Sequence, residues 1–173
     1  MLRATSLGAA LSELESTFRR YFPLIREKCR RMLGDADGDD VSQETFVRLW
    51  RARLAGADPL TVTAWIYRTS TRLAIDLLRQ RQRRAAPETV AIMGGLASQR
   101  PSADQALQTR REVEELARSL PADELELVLL HRLDGLTQAE IAEVAGVSDR
   151  TVRRVLQRFD ARVQTLRAAE ETR

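Results

Sequence analysis

Apolar side chains recur at intervals of three and four residues along most of the chain, which is the spacing of amphipathic α-helices. A first helix is predicted over about Ala10–Leu33 and ends at Gly34. Pro23 falls inside this pattern and predicts a kink or break there. The apolar positions that define the helix are Leu11, Leu14, Phe18, Tyr21, Phe22, Ile25, Cys29 and Met32.

Two more helices are predicted in the first half. The stretch DADGDD at 35–40 predicts a turn, and its aspartates favour the start of a helix over about Asp39–Leu54. Val41, Phe46, Leu49 and Trp50 are the apolar positions of that helix. Gly56 and Pro59 then mark a break, and a third helix is predicted from Thr61 to about Arg83.

The second half begins with a segment that has no apolar period. Residues 85–104 contain two prolines and two adjacent glycines, which predicts a flexible linker. Helices follow over about Ala103–Ser119 and Glu124–Leu133, with a turn at Asp134-Gly135. No strand-type alternation is long enough to predict a sheet. The sequence therefore predicts an all-α protein with two small helical domains, 1–84 and 105–173, joined by the linker 85–104.

The segment from Thr137 onwards has the pattern of a helix-turn-helix. Thr137 and Glu140 have the spacing of a capping box, and Gly146 suits a left-handed turn. Ser148 is placed to cap the second helix. The inward-facing positions are predicted to be Ile141, Ala145, Val147, Val152 and Val155, with a small residue, Ala142, where the helices cross.

Charge supports a nucleic-acid partner. The net charge of +3 is small, but residues 1–84 carry 16 Lys/Arg against 10 Asp/Glu, and 144–173 carry 7 against 4. In the second helix of the helix-turn-helix, Arg153 and Arg154 could reach base edges, and Arg158 could contact a base or a phosphate. The third helix places Trp65 and Tyr67 among arginines, which suits single-stranded or melting DNA.

Other classes of protein are disfavoured. Cys29 and His131 are the only residues of their types, so no intrachain disulfide, metal site or cofactor is predicted. With one histidine and one cysteine, a catalytic set would have to consist of little besides carboxylates, so the chain is not expected to be an enzyme. It has no signal-type segment and no apolar stretch of about 18 residues, so a cytoplasmic protein without a membrane segment is expected.

Taken together, the motifs resemble the extracytoplasmic-function (ECF) sigma factors of the sigma-70 superfamily. They are a DxxQETFxRLW helix, a WIYR…LAxDxLRxxxRR helix, a linker, and LPxxxxxVxxLxxxxGLTxxEIAxxxGVSxxTVxR. The resemblance covers about residues 12–165. It implies binding to core RNA polymerase through the β′ clamp helices and the β flap, to promoter DNA, and to an anti-sigma factor.

The resemblance also implies roles for individual residues. The helix that docks on the polymerase carries Asp40, Gln43, Glu44 and Phe46. The minus-ten element is opened and recognised by Trp65, Tyr67, Arg68, Thr69, Ser70, Thr71 and Arg72, with Arg79 in the basic tail 79–84 beside the upstream duplex. The minus-thirty-five element is recognised by Ser148, Arg150, Thr151, Arg153, Arg154 and Arg158.

The chain departs from the family pattern at both DNA-reading elements. Arg72 stands where many members have Asn, and Val155 stands where many have Arg, while Arg150 and Arg154 are additional cations. The promoter sequence therefore cannot be transferred from relatives. The main alternative is a stand-alone helix-turn-helix regulator, which would need a ligand or phosphoacceptor domain. An enzyme and a protein-binding helical module are further alternatives.

Overall fold

A computed structural model describes residues 2–52, 57–84 and 103–171. These residues form helices and no strand, which confirms the all-α class. The helices are α1 (Leu2–Leu33), α2 (Asp35–Arg51), α3 (Pro59–Arg84), α4 (Ala103–Ser119), α5 (Ala122–Arg132), α6 (Gln138–Ala145) and α7 (Asp149–Glu171). They divide into two compact units, Met1–Ala74 and Ile75–Arg173, so that α3 contributes one half to each.

The first unit is organised around a close crossing of α1 and α2. Gly34 joins the two helices as a single-residue turn with a φ of 87°. A Cβ at Gly38 would lie only 2.6 Å from the backbone Cα of Arg30, so only glycine lets the two backbones approach this closely. At the next residue, the Asp39 carboxylate accepts paired hydrogen bonds from Arg26 and Arg30 at 2.6–2.9 Å.

The two arginines shift the pKa of the Asp39 carboxyl at the helix crossing. Hydrogen bonds from Arg26 and Arg30 hold the pKa of Asp39 well below its usual range. The same carboxylate raises the pKa of both guanidinium groups. The three side chains therefore form a charge-assisted connection between α1 and α2 on the edge of a hydrophobic interface.

Apolar side chains from all three helices fill the first unit. Its buried residues include Ile25, Cys29, Met32, Leu33, Val41, Leu49, Ile66 and Ala74. The rings of Phe18, Phe22 and Phe46 form a cluster with centroid separations of 4.5–5.6 Å. Thr63 connects α3 to α1 through a 2.8 Å hydrogen bond with the Tyr21 hydroxyl.

The second unit packs α7 against α5 and α6. Leu125, Val128, Leu129, Ile141, Val152 and Phe159 are among its buried residues. The second half of α3 also belongs to this unit, with Ile75 and Leu78 buried. Two hydrogen bonds fix it there: Arg79 donates to the Leu120 carbonyl at 3.0 Å, and Gln82 donates to the Glu114 carbonyl at 2.8 Å.

Several predicted boundaries need correction. The predicted break at Pro23 is wrong, because α1 continues through it with Phe22 and Ile25 packed on either side. The predicted turn at DADGDD is also wrong, since α2 begins at Asp35 and includes these residues. Of the predicted linker, residues 85–102 lie outside the described residues, and residues 103–104 belong to α4. Residues 53–56 also lie outside them.

Candidate nucleic-acid interface and protein-docking face

The helix-turn-helix has the local geometry that its sequence predicts. Thr137 caps α6 by accepting from the Glu140 backbone N–H at 3.3 Å, and the Glu140 carboxylate accepts from the Thr137 N–H at 2.8 Å. Hydrogen bonds from Thr137 also lower the pKa of Glu140. Gly146 adopts the left-handed conformation with a φ of 68°. The capping box and the glycine turn are therefore confirmed.

The buried face of this motif is also nearly as predicted. Ile141, Ala145, Val152 and Val155 are buried. Val147 is the exception, with 37% of its surface exposed. Its backbone N–H donates to the Ala142 carbonyl at 3.0 Å, so the residue closes α6 through its main chain while its side chain faces outward.

The N-terminal half of α7 presents cations to solvent. Arg150, Arg153 and Arg154 are exposed, and none of them forms an ion pair with a residue that the structure describes. Ser148 and Thr151 instead form a cap, with the Thr151 N–H donating to the Ser148 hydroxyl at 3.2 Å. This end of α7 thus combines free positive charge with a fixed helix start, a combination that suits DNA phosphates and base edges.

Arg158 differs from the other arginines of α7. Its guanidinium contacts the Glu124 carboxylate at 2.6 Å. The pair borders a surface cavity of about 340 Å³ between α5 and α7 that is also lined by Val155 and Phe159. Arg158 is therefore partnered in the DNA-free chain, and Val155 belongs to the packing of α7 rather than to its exposed face.

The minus-ten residues predicted on α3 differ in their exposure. Trp65, Tyr67, Arg68 and Thr69 are half-buried, and Arg72 is exposed. Ser70 and Thr71 are fully buried, and both hydroxyls donate to the Tyr67 carbonyl, at 3.0 and 2.8 Å. In this structure the two hydroxyls support the helix turn that carries Tyr67 and are not presented to solvent.

The predicted polymerase-binding residues of α2 also differ in their exposure. Asp40 and Gln43 are exposed, and Glu44 pairs with Arg48 along the helix at 2.8 Å. Phe46 is buried in the aromatic cluster, where it supports α2 from beneath. Gln43 borders a largely apolar groove of about 470 Å³, also lined by Leu14, Glu15, Phe18, Phe46, Val47 and Trp50.

This groove is the feature that the sequence interpretation missed. Trp50 was assigned to the apolar side of α2, yet 64% of its surface is exposed, and Phe18 and Val47 are exposed as well. Exposed apolar patches on soluble proteins are often binding sites for other proteins, so this groove is a candidate docking face. The sequence does contain a sign of this exposed groove. One face of α2, with Val41, Thr45 and Leu49, is buried, and the helix has more large apolar residues than that face can hold.

Comparisons with known proteins identify both halves of the chain. Residues 17–84 match the family model of sigma-70 region 2, and residues 110–158 match that of sigma-70 region 4. The ferric citrate uptake sigma factor FecI of Escherichia coli is 30% identical over 158 residues, which cover 88% of each chain. The chain belongs to the sigma-70 family.

Other relatives place this sigma factor in the ECF group. It is 29% identical to the ECF RNA polymerase sigma factor SigE of Mycolicibacterium smegmatis, over 87% of its own length. It is 31% identical to the probable RNA polymerase sigma factor RfaY of Xanthomonas campestris, over 75% of its own length. The matched segments span 60% of SigE and 34% of RfaY, so both relatives are considerably longer than the match.

Two further properties of the sigma factor concern only the residues that the structure describes. Among them, no group of three or more His, Cys, Asp or Glu side chains is arranged to hold a metal ion. None of the described helices is both long enough and apolar enough to cross a bilayer. The sole histidine, His131, contacts the Leu136 carbonyl through Nδ1 at 2.9 Å, an ordinary structural role.

Proposed function

We propose that the chain is an alternative sigma factor, which binds core RNA polymerase, directs it to a two-part promoter and helps to open the DNA. The observation that carries this proposal is the presence of sigma-70 region 2 and region 4 on one chain. A stand-alone helix-turn-helix regulator would explain the second match but not the first. The domains would be 1–84 and 105–173, joined by residues 85–104.

The polymerase-docking role of α2 is supported by its exposed face. Asp40 and Gln43 offer a carboxylate and an amide at the surface, and Gln43 lines the apolar groove that contains Trp50. Protein–protein interfaces typically have an apolar centre, where aromatic side chains carry much of the binding energy, and a polar rim. We propose the β′ clamp helices as the occupant of this face.

The two DNA-binding roles are supported by charge and exposure. Arg72 is exposed on α3, and Trp65 and Tyr67 of the same helix are half-buried, a set of residue types that suits a separated strand. On α7, Arg150, Arg153 and Arg154 are exposed at the start of a helix that suits the major groove. We assign α3 to the minus-ten element and α7 to the minus-thirty-five element.

Binding, and not covalent chemistry, is the proposed activity. Each DNA-reading surface is small, but once one of them is engaged the tether gives the other a high effective concentration. Core polymerase then supplies the catalysis. Regulation by an anti-sigma factor and residence in the cytoplasm are further parts of the proposal, which rest on the family alone.

The docking part of the proposal can be tested with purified core polymerase. The full chain, labelled with a fluorophore at its N-terminus, is titrated with core enzyme, and the affinity is compared with that of Trp50→Ala and Gln43→Ala. Truncating a central aromatic contact is expected to weaken binding by about 2 kcal/mol, or thirtyfold. Leu60→Ala, at an exposed apolar position on α3 outside the groove, is the matched control. Equal affinity for Trp50→Ala and the wild-type chain would overturn the assigned dock.

A further inference from the structure

The burial pattern of α7 shows which side of the helix faces outward. The side that packs against the rest of the unit is marked by four buried residues, Val152, Val155, Leu156 and Phe159. An α-helix turns by about 100° per residue, so the direction opposite to the centre of that side lies within about 30° of residues 150, 154, 157 and 161. All four of these residues are exposed. The outermost strip of α7 therefore consists of Arg150, Arg154, Gln157 and Ala161.

Arg153 and Arg158 lie on the two flanks of this outermost strip. Each is turned by about 70° from its centre, in opposite directions. The major groove is about 12 Å wide, and a helix with its side chains has about the same diameter. The flanks of a helix in the groove therefore face the two sugar-phosphate backbones, while the outermost strip faces the base edges. Arg153 is placed to contact a phosphate, as is Arg158 once it leaves Glu124.

Gln157 differs chemically from the other residues of the strip. It is the only uncharged polar side chain there, and its amide forms no hydrogen bond with the described part of the chain. An uncharged amide does not neutralise phosphate charge, so a contact with DNA would serve it best at a base edge. The glutamine amide matches adenine in the major groove, because its carbonyl accepts from N6 and its NH₂ donates to N7.

The spacing of Gln157 from Arg154 matches the spacing of bases. Three residues of helix rise by about 4.5 Å, and base pairs are about 3.4 Å apart along the duplex. The two side chains are thus placed to contact neighbouring base pairs. Arginine matches guanine, through O6 and N7, as glutamine matches adenine. The pair of side chains therefore suits an adenine next to a guanine.

We propose that Gln157 is a specificity-determining residue that recognises an adenine in the minus-thirty-five element, next to a guanine recognised by Arg154. This inference rests on the proposed function, because it assigns α7 to that element. It also divides the work of the helix. Residues of the outermost strip identify bases, and the flanking Arg153 and Arg158 hold phosphates.

The test selects DNA from a random library with holoenzyme reconstituted from core polymerase and the full chain. Wild-type holoenzyme is expected to enrich fragments with adjacent guanine and adenine in the minus-thirty-five element. Gln157→Ala should lose the preference for adenine alone, because the guanine contact is intact. Gln157→Glu should prefer cytosine there, since a carboxylate accepts from cytosine N4. Gln164→Ala, at another exposed glutamine of α7, is the matched control and should keep every preference.

An affinity titration measures the same contact on single fragments. Inverting the adenine–thymine pair in the most enriched fragment should weaken binding by wild-type holoenzyme about tenfold. The same inversion should hardly change binding by Gln157→Ala, because the side chain that distinguishes the two orientations is gone. An equal penalty in both proteins, retention of the adenine preference by either variant of Gln157, or a uniform loss of all preferences would each overturn the proposal.

Failure of this inference can be distinguished from failure of the proposed function. If wild-type holoenzyme enriches no fragment, the proposed function itself fails, and the role of Gln157 fails with it. If wild type and Gln157→Ala enrich the same fragments, the sigma-factor function stands and only the role of Gln157 is overturned.

Discussion

The guanidinium of Arg158 on α7 contacts the carboxylate of Glu124 on α5 at 2.6 Å, whereas Arg153, five residues earlier on α7, is exposed to solvent. The two arginines were given the same role from the sequence. Their surroundings in the folded chain distinguish them, because Arg158 must leave an acidic partner before it can contact DNA.

Arg153→Gln is therefore expected to weaken promoter binding by the holoenzyme more than Arg158→Gln does. A lost base contact costs about 1–3 kcal/mol, and a lost phosphate contact lowers the salt dependence of binding by about one unit. The measurement is an affinity titration at several salt concentrations. Glu124→Gln supplies the control, since it frees Arg158 and should make Arg158→Gln more costly. If Arg158→Gln weakens promoter binding equally in the wild-type chain and in Glu124→Gln, the Arg158–Glu124 ion pair does not affect DNA binding.

Gly38→Ala is expected to destabilise the first unit by about 1–3 kcal/mol, because the added methyl group meets the α1 backbone and cannot be accommodated by a side-chain rotation. Urea denaturation of the full chain measures the change in the free energy of unfolding. Ala36→Ser is the matched control on the same turn of α2, at an exposed position, and should change stability by less than about 0.5 kcal/mol. Similar values for the two variants would contradict the close crossing of α1 and α2.

Asp39→Asn should lower stability at neutral pH and matter less in acid. Because the pKa of Asp39 is lowered in the folded chain, its stabilising contribution is fully present above the ordinary aspartate pKa, about 4. That contribution is lost as the pH falls through the lower, folded-state value. The difference in unfolding free energy between wild type and Asp39→Asn should thus be constant near pH 7 and shrink below about pH 4. A difference that does not vary with pH would contradict the ion pairs.

Thr137→Ala removes the side chain that caps α6 and should destabilise the helix-turn-helix by about 1 kcal/mol. Thermal unfolding followed by circular dichroism detects the shift. Thr137→Ser keeps the hydroxyl and should retain most of the stability, so it separates loss of the cap from loss of the methyl group. Equal destabilisation by alanine and serine would mean that the capping box contributes nothing.

Much of this fold could be predicted because it depends on local sequence. The helix-turn-helix is specified within a few residues by the Thr137 cap, the left-handed Gly146 and the apolar period around them. The predicted break at Pro23 and the predicted turn at DADGDD were wrong because of tertiary contacts. Local propensity alone would interrupt the helices at these two places, but contacts between α1 and α2 keep them helical. The pattern of apolar residues also cannot predict how closely the two backbones approach at Gly38.

The candidate sites were only partly predictable, because a motif gives residue types without their partners. The sequence could not show that Phe46, Ser70 and Thr71 are buried or that Trp50 is exposed. It also could not show that Lys28 is buried and donates a hydrogen bond to Thr71, 43 positions further along the chain. Such relationships depend on how the helices pack, and therefore appear only in three dimensions.

Run-off transcription with purified core polymerase tests the central claim most directly. The template is the fragment that the holoenzyme enriches from random DNA, and reactions are run with core enzyme alone and with core enzyme plus the full chain. The account predicts a discrete transcript only when the chain is present, and its loss on a template whose minus-thirty-five element is scrambled. Tight, specific binding of the free chain to that duplex, with no chain-dependent transcript, would contradict the account and favour a stand-alone regulator.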